Sequence, residues 1–171
     1  MKLKMSCCFT GHRPEKLAWK KDEYDEACLR LKKELLLYIT KLIELGVCRF
    51  YTGMAMGVDI WAAEIVLDMK NKYRDKNIQL IATIPYEEQA KNWTDEWKER
   101  YTNVLEFADK IILLQEQYTR GCFYARNRYM VDNSSFVIAV FNGEEGGTKY
   151  TIDYAKKKGL RIKILDPREY V

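Results

Sequence analysis

The sequence predicts an α/β domain built on a mainly parallel, doubly wound sheet flanked by helices, and three observations carry that expectation. Short apolar runs alternate with longer stretches of helical period from end to end, the signature of parallel strands joined by crossover helices. Several runs are apolar at consecutive positions, as in Ile111-Ile112-Leu113-Leu114 and Phe136-Val137-Ile138-Ala139-Val140, which suits strands covered on both faces. The chain has 171 residues, 47% of them hydrophobic and 32% charged, the size and composition of one globular core spanning 1–171.

Taken in order, the expected strands are Met5 to Thr10, Arg49 to Thr52, Gln79 to Ile84, Lys110 to Leu114, Phe136 to Phe141 and Arg161 to Leu165. Between the first two, Tyr24, Ala27, Cys28, Leu31, Leu35, Tyr38, Ile39, Leu42 and Leu45 recur at three and four residues, and Gly46 follows as a stop. Ala62, Ile65, Val66, Met69 and Tyr73 form a second stripe, and Trp93, Trp97, Tyr101, Val104, Leu105 and Ala108 a third. Helical spacing alone accounts for all three as core-facing surfaces. Two more helices are expected near Phe123 to Asn133 and Thr148 to Lys158, where Lys156 to Lys158 complement a helix C-terminus before Gly159. The expected strand order is 3-2-1-4-5-6.

Composition narrows the function. A net charge of +4 and a pI of about 8.7 allow phosphate-bearing ligands but fall short of a dedicated nucleic-acid surface. No apolar run approaches a membrane span, and Met1 to Met5 lead into a strand without a leader-type apolar region, so a cytoplasmic protein without membrane contact is expected. The five cysteines lack CxxC spacing, so neither a disulfide framework nor a metal site is expected. Vicinal Cys7 and Cys8 should face opposite sides of a strand and pack as reduced thiols.

In an open parallel sheet, ligands bind beyond the carboxyl ends of the strands, where helix N-termini present free N–H groups. Four post-strand loops fit that role: Thr10-Gly11-His12-Arg13-Pro14, Thr52-Gly53-Met54-Ala55-Met56-Gly57-Val58-Asp59, Tyr118-Thr119-Arg120-Gly121 leading to Arg126, Asn127 and Arg128, and Asn142 to Thr148. Gly146-Gly147-Thr148 is the best phosphate cradle: two glycines precede a helix whose start adds a hydroxyl. Gly53 and Gly57 offer similar geometry, although neither loop is a Walker A or GxGxxG sequence and each pair also makes sense as plain turn chemistry. His12, the sole histidine, suits either phosphate contact and proton transfer or a structural place in the loop. Arg126 and Arg128 cannot share a helix face, so at most one of them should enter the site, with Arg13 and Arg126 as the candidate anion contacts and plain surface solvation as their other reading. Asp59 suits helix capping, the simpler role, or a ribose hydroxyl.

Gly11-His12-Arg13-Pro14, Gly53 to Asp59, Arg126-Asn127 with Met130-Val131-Asp132, and Gly146-Gly147-Thr148 with Tyr154-Ala155 together resemble the YpsA-like proteins of bacteria, along nearly the whole chain. The resemblance implies a Rossmann-like member of the SLOG superfamily, which includes the LONELY GUY nucleotide phosphoribohydrolases and the DNA-processing protein DprA. It implies a crevice for a nucleotide or nucleotide-derived ligand; the converging glycine turns point to a phosphorylated nucleoside there, ADP-ribose-like or a nucleoside monophosphate, and the expected role is a sensor or regulator. No further cofactor is expected, and a homo-oligomer is compatible. The hydrolases continue their glycine motif as Gly-Thr-x-x-Glu, with the glutamate acting in glycosidic cleavage; here Thr151 takes that place, and Glu144 and Glu145 are the alternative carboxylates. Their arginine four residues before a methionine is matched by Arg126 before Met130. A DprA-like nucleic-acid module and a phosphoribohydrolase-like enzyme are the two alternatives, and Tyr86, Trp93 and Trp97 are the aromatics that would stack on bases in the former.

Overall fold

The computed structural model describes residues 5–171; Met1 to Lys4, which enter the reading of the N-terminus, lie outside the described residues. Six strands, β1 (Ser6–Gly11), β2 (Arg49–Thr52), β3 (Gln79–Ile84), β4 (Lys110–Leu113), β5 (Phe136–Val140) and β6 (Arg161–Leu165), join one sheet in which all five pairings are parallel. Five helices connect them: α1 (Glu26–Glu44), α2 (Val58–Lys72), α3 (Asp95–Phe107), α4 (Cys122–Asp132) and α5 (Gly147–Lys157). The expected doubly wound α/β arrangement is present.

The strand order is β4-β3-β2-β1-β5-β6, which corrects the expected 3-2-1-4-5-6. Three successive βα units extend the sheet in one direction as far as β4, and the chain then returns through α4 to place β5 on the free side of β1. The reversal comes one strand later than expected. For the same reason β4 is an edge strand, not one covered on both faces: Ile111 and Leu113 are 51% and 44% exposed.

Each face of the sheet has its own core. Cys7, Phe9, Phe50, Leu80 and Ile138 pack beneath α1, α2 and α3, whereas Cys8, Tyr51, Ile81, Val137 and Ala139 pack beneath α4 and α5. The vicinal cysteines therefore point to opposite faces, as the period of a strand requires. Both thiols are fully buried, and burial raises Cys7 well above its ordinary range and Cys8 to about 12, so neither is a reactive thiolate.

The helix α1 starts at Asp25, whose side chain accepts from the Ala27 N–H at 2.8 Å, and is followed by Gly46 at φ 96°. Its buried face is Ala27, Cys28, Leu31, Leu35, Ile39 and Ile43. Tyr24 and Leu45, read as ends of that stripe, lie beyond the helix and are exposed, because the apolar period runs past the point where the chain leaves the core. On α3, Trp97, Tyr101 and Val104 are buried and Trp93 meets Tyr101 edge-on at 5.3 Å. Tyr86 packs edge-on against Tyr118 and Phe123, so the three aromatics considered for base stacking all have packing partners.

Candidate functional site

At the carboxyl edge of the sheet, the strand order brings the loops after β1, β2 and β5 together with the start of α4. Their meeting point is a cavity of 410 Å³ lined by Gly11, His12, Arg13, Asp59, Arg126, Asn127, Gly146, Gly147 and Thr148 among others. Gly53 and Gly57 do not line it and act from behind. Gly57 has φ 87° and a Cβ there would meet Pro14 Cδ at 2.9 Å, which locks the β2 loop against the β1 loop. At Gly53 a Cβ would come within 2.8 Å of the Arg126 guanidinium; the glycine makes room for that charge.

The β2 loop is held by its own hydrogen bonds. Thr52 Oγ1 accepts from the Met54 N–H at 3.2 Å and donates to the Asp59 carbonyl at 3.0 Å, while Asp59 Oδ2 accepts from the Ala55 N–H at 3.2 Å. Asp59 thus clamps the loop and does not cap α2, whose N-cap, Gly57, has no side-chain partner. Capping, the simpler of its two expected roles, is corrected: Asp59 is the second residue of the helix, and its carboxylate turns back to a loop amide. Burial raises its pKa, against the pull of the positive charge of Arg126.

Arg126 is 5% exposed, donates from Nε to Asn127 Oδ1 at 2.8 Å and from Nη1 to the Gly53 carbonyl, and makes no ion pair among the described residues. Burial lowers its pKa, with Asp59 acting in the opposite direction. Of its five N–H donors, three make no bond among the described residues. Arg13 is exposed, and the guanidinium carbons of Arg13 and Arg126 lie 5.3 Å and 5.6 Å from the Phe123 ring. Arg128 points elsewhere, donating to the Tyr150 hydroxyl at 2.8 Å, so one arginine of the pair enters the crevice.

His12 is buried, and its Nε2 accepts from the Asn142 N–H at 3.2 Å. That bond requires a neutral ring with the proton on Nδ1, and burial also lowers the pKa. On α5, Thr151 is fully buried, and its hydroxyl donates to the Gly147 carbonyl at 2.8 Å, away from the crevice. Glu144 and Glu145 are exposed and do not line the crevice; Glu145 lies 3.9 Å from Lys149.

Sequence reasoning missed Glu15, Lys16, Phe123 and Tyr124, which also line the cavity. Pro14–Lys16 form a single 3₁₀ turn, which places Lys16 on the same side as Arg13; its Nζ lies 3.5 Å from where a Cβ at Gly146 would be. The i, i+3 spacing of two cations around a proline was the available signal. Phe123 and Tyr124 precede Arg126 at the start of α4, where a sequence offers no rule for which side chain turns toward the sheet.

A family model described as the YspA SLOG family, YpsA, matches residues 7–169. The chain belongs to this YpsA family of SLOG proteins. The SPbeta prophage-derived protein YoqJ of Bacillus subtilis (strain 168) is 34% identical over 145 residues, covering 77% of this chain and 84% of YoqJ. A UPF0398 protein of Bacillus cereus (strain G9842) is 31% identical over 154 residues, covering 88% and 82%. The fold resembles DNA processing protein A from Helicobacter pylori, at TM-score 0.62 and 18% identity over 96% of this chain and 66% of that one. It also resembles the Streptococcus pneumoniae protein, at TM-score 0.59 and 17% identity, and spans half of that longer chain. Among the described residues no helix is long and apolar enough to cross a membrane.

Proposed function

We propose that the crevice binds a phosphorylated nucleoside, a nucleoside monophosphate or an ADP-ribose-like ligand, and that the protein acts as a sensor or regulator. One observation carries this reading: Arg126 is a buried cation with no carboxylate at ion-pair distance among the described residues and with unused donors at the crevice. A buried charge without a counterion is costly, and an anionic ligand offsets that cost where a solvated arginine would gain little. The N-terminus of α5 adds free N–H groups at the opposite wall, and Arg13 and Lys16 add two more cations. The cavity volume of 410 Å³ suits a small ligand. Binding without glycosidic hydrolysis fits the buried, back-bonded Thr151 in place of a glutamate.

Thermal-shift and calorimetric titration with nucleoside monophosphates and ADP-ribose tests the proposal. A ligand at a hundred times its Kd adds about 2.7 kcal/mol, which for a chain of this size is about 5–11 °C in Tm. Arg126→Met should abolish the shift, and the absence of any response across the panel at millimolar concentration refutes the reading. A second reading, binding of single-stranded nucleic acid, is favoured by the likeness to the Helicobacter pylori protein, whose structure is described by its single-stranded DNA binding mode. It predicts affinity that falls steeply and log-linearly with salt, which a pocketed mononucleotide does not.

A further inference from the structure

Beside the crevice lies a second cavity, of 710 Å³, between the loop after β4, the outer side of α4 and the first turns of α5. Tyr124 and Gly146 line both cavities, so the two are separated by one ring and one glycine. The Tyr124 ring is 42% exposed and meets Tyr150 edge-on, with centroids 4.5 Å apart. Tyr150 is fixed in turn by the Arg128 donor on its hydroxyl at 2.8 Å and stands parallel to Tyr154 at 6.4 Å. Part-exposed rings held in this way at a cavity wall are what a planar base stacks on.

The charges around this second cavity limit what it accepts. Lys149 is taken up by Asp153 at 2.6 Å and by Glu145 at 3.9 Å. Arg120 is exposed and unpaired among the described residues, and Arg128 is held by a phenol. A polynucleotide backbone needs a row of free cations, and this groove has two arginines beside balanced charge. One aromatic base with a single phosphate beside it fits better than a continuing strand. Between the two cavities, Gly146 and Gly147 leave the backbone bare at the start of α5: a Cβ at Gly147 would meet nothing within 4 Å.

We propose that the ligand is a dinucleotide, two nucleosides joined through phosphates, with one nucleoside phosphate in the crevice, the phosphate bridge across Gly146-Gly147, and the second base on the Tyr124–Tyr150 pair. The proposal rests on the crevice reading above, and the test separates the two. Calorimetry at about 0.15 M ionic strength compares adenosine monophosphate, diadenosine pyrophosphate, the guanosine counterparts of both and a short oligo(dA). The dinucleotide of one base should bind at least about tenfold tighter than its monophosphate. Arg120→Ala, at an exposed position without a side-chain partner among the described residues, and Tyr150→Ala should each erase that gap while monophosphate affinity stays unchanged; Tyr150→Phe, which keeps the ring, should retain it. Equal affinity for monophosphate and dinucleotide, or a gap that survives both alanine variants, overturns the dinucleotide proposal and leaves the crevice reading standing. Binding of neither probe removes both, and an oligonucleotide that binds tighter than the dinucleotide with a steep salt slope replaces the occupant with nucleic acid.

Discussion

Gly147 opens α5 at the floor of the crevice, and an alanine there separates what the position does for the fold from what it does for a ligand. Its φ is outside the left-handed region, and a Cβ would meet no atom within 4 Å. The folded protein therefore has no steric need of glycine here. Alanine restricts the unfolded chain and is the better helix former, worth about 0.4–1 kcal/mol. For 150–250 residues that converts to a rise of about 1–4 °C in Tm. The same methyl group occupies the space through which a phosphate would approach the free N–H groups of the first turn. Losing one such hydrogen bond while the ligand oxygen is left without a donor costs about 1–3 kcal/mol, or about 5- to 150-fold in Kd. Urea or thermal unfolding without ligand, beside calorimetry with the best-binding nucleotide, measures both effects. A fall in Tm would show a backbone requirement that the geometry lacks, and unchanged affinity would take the α5 N-terminus out of the site. Gly57→Ala is the contrasting variant: with φ 87° and Pro14 at 2.9 Å, it should lose stability.

Three other expectations follow from the hydrogen-bond and charge geometry. Burial holds the His12 pKa below its unfolded value of about 6.5, so the unfolded chain binds the proton first; stability is complete above that pH and declines as pH falls toward the folded pKa, and unfolding free energies across pH 5–8 should show a slope that His12→Gln removes. Thr151→Glu should destabilise by several kcal/mol and release no free base from nucleoside monophosphates by chromatography, since position 151 is fully enclosed and its hydroxyl turns to Gly147. Arg100 joins Glu64 on α2 at 2.7 Å and Glu23, ahead of α1, at 2.5 Å, and Arg100→Met should cost about 1–3 kcal/mol in chemical denaturation by leaving two part-buried carboxylates without their shared partner.

The parts of the molecule that could be read from its sequence are those governed by local period and turn chemistry. Consecutive apolar residues in Phe136–Val140 and glycines at the end of β1 and after β2 and β5 gave element type and placed the crevice at the carboxyl edge of the sheet, because both signals act over a few residues. The run Ile111-Ile112-Leu113 misled for a physical reason: an edge strand and a central one can carry the same composition, and only the topology decides which is covered. At the crevice, Gly11, His12, Arg13, Asp59, Arg126, Asn127 and Gly146 to Thr148 converge, but the division of labour around it was hidden. Gly53 and Gly57 shape the loop behind the cavity, Asp59 clamps it, and Lys16 enters through a 3₁₀ turn; each depends on contacts between segments far apart in the chain.

The misplaced strand bears directly on the crevice. With β4 beside β1, the loop after β5 would lie at least one strand away from Gly11, and the N-terminus of α5 would be out of reach of Arg13. With β5 beside β1, Gly11 pairs with Val140, and the following loop brings Gly146-Gly147 to the same cavity as His12. The cost of this order is a long return from the edge strand, through 114–121, before α4 can begin. That return delivers α4 over the middle of the sheet, against β1 and β3, so that Arg126 reaches back to the Gly53 carbonyl at the end of β2. The reversal of winding thus assembles the crevice from the loops after β1, β2 and β5 and the start of α4, and the return segment, with Gln115 Nε2 bonded to Thr119 Oγ1 at 2.7 Å, forms the outer wall of the groove beside it.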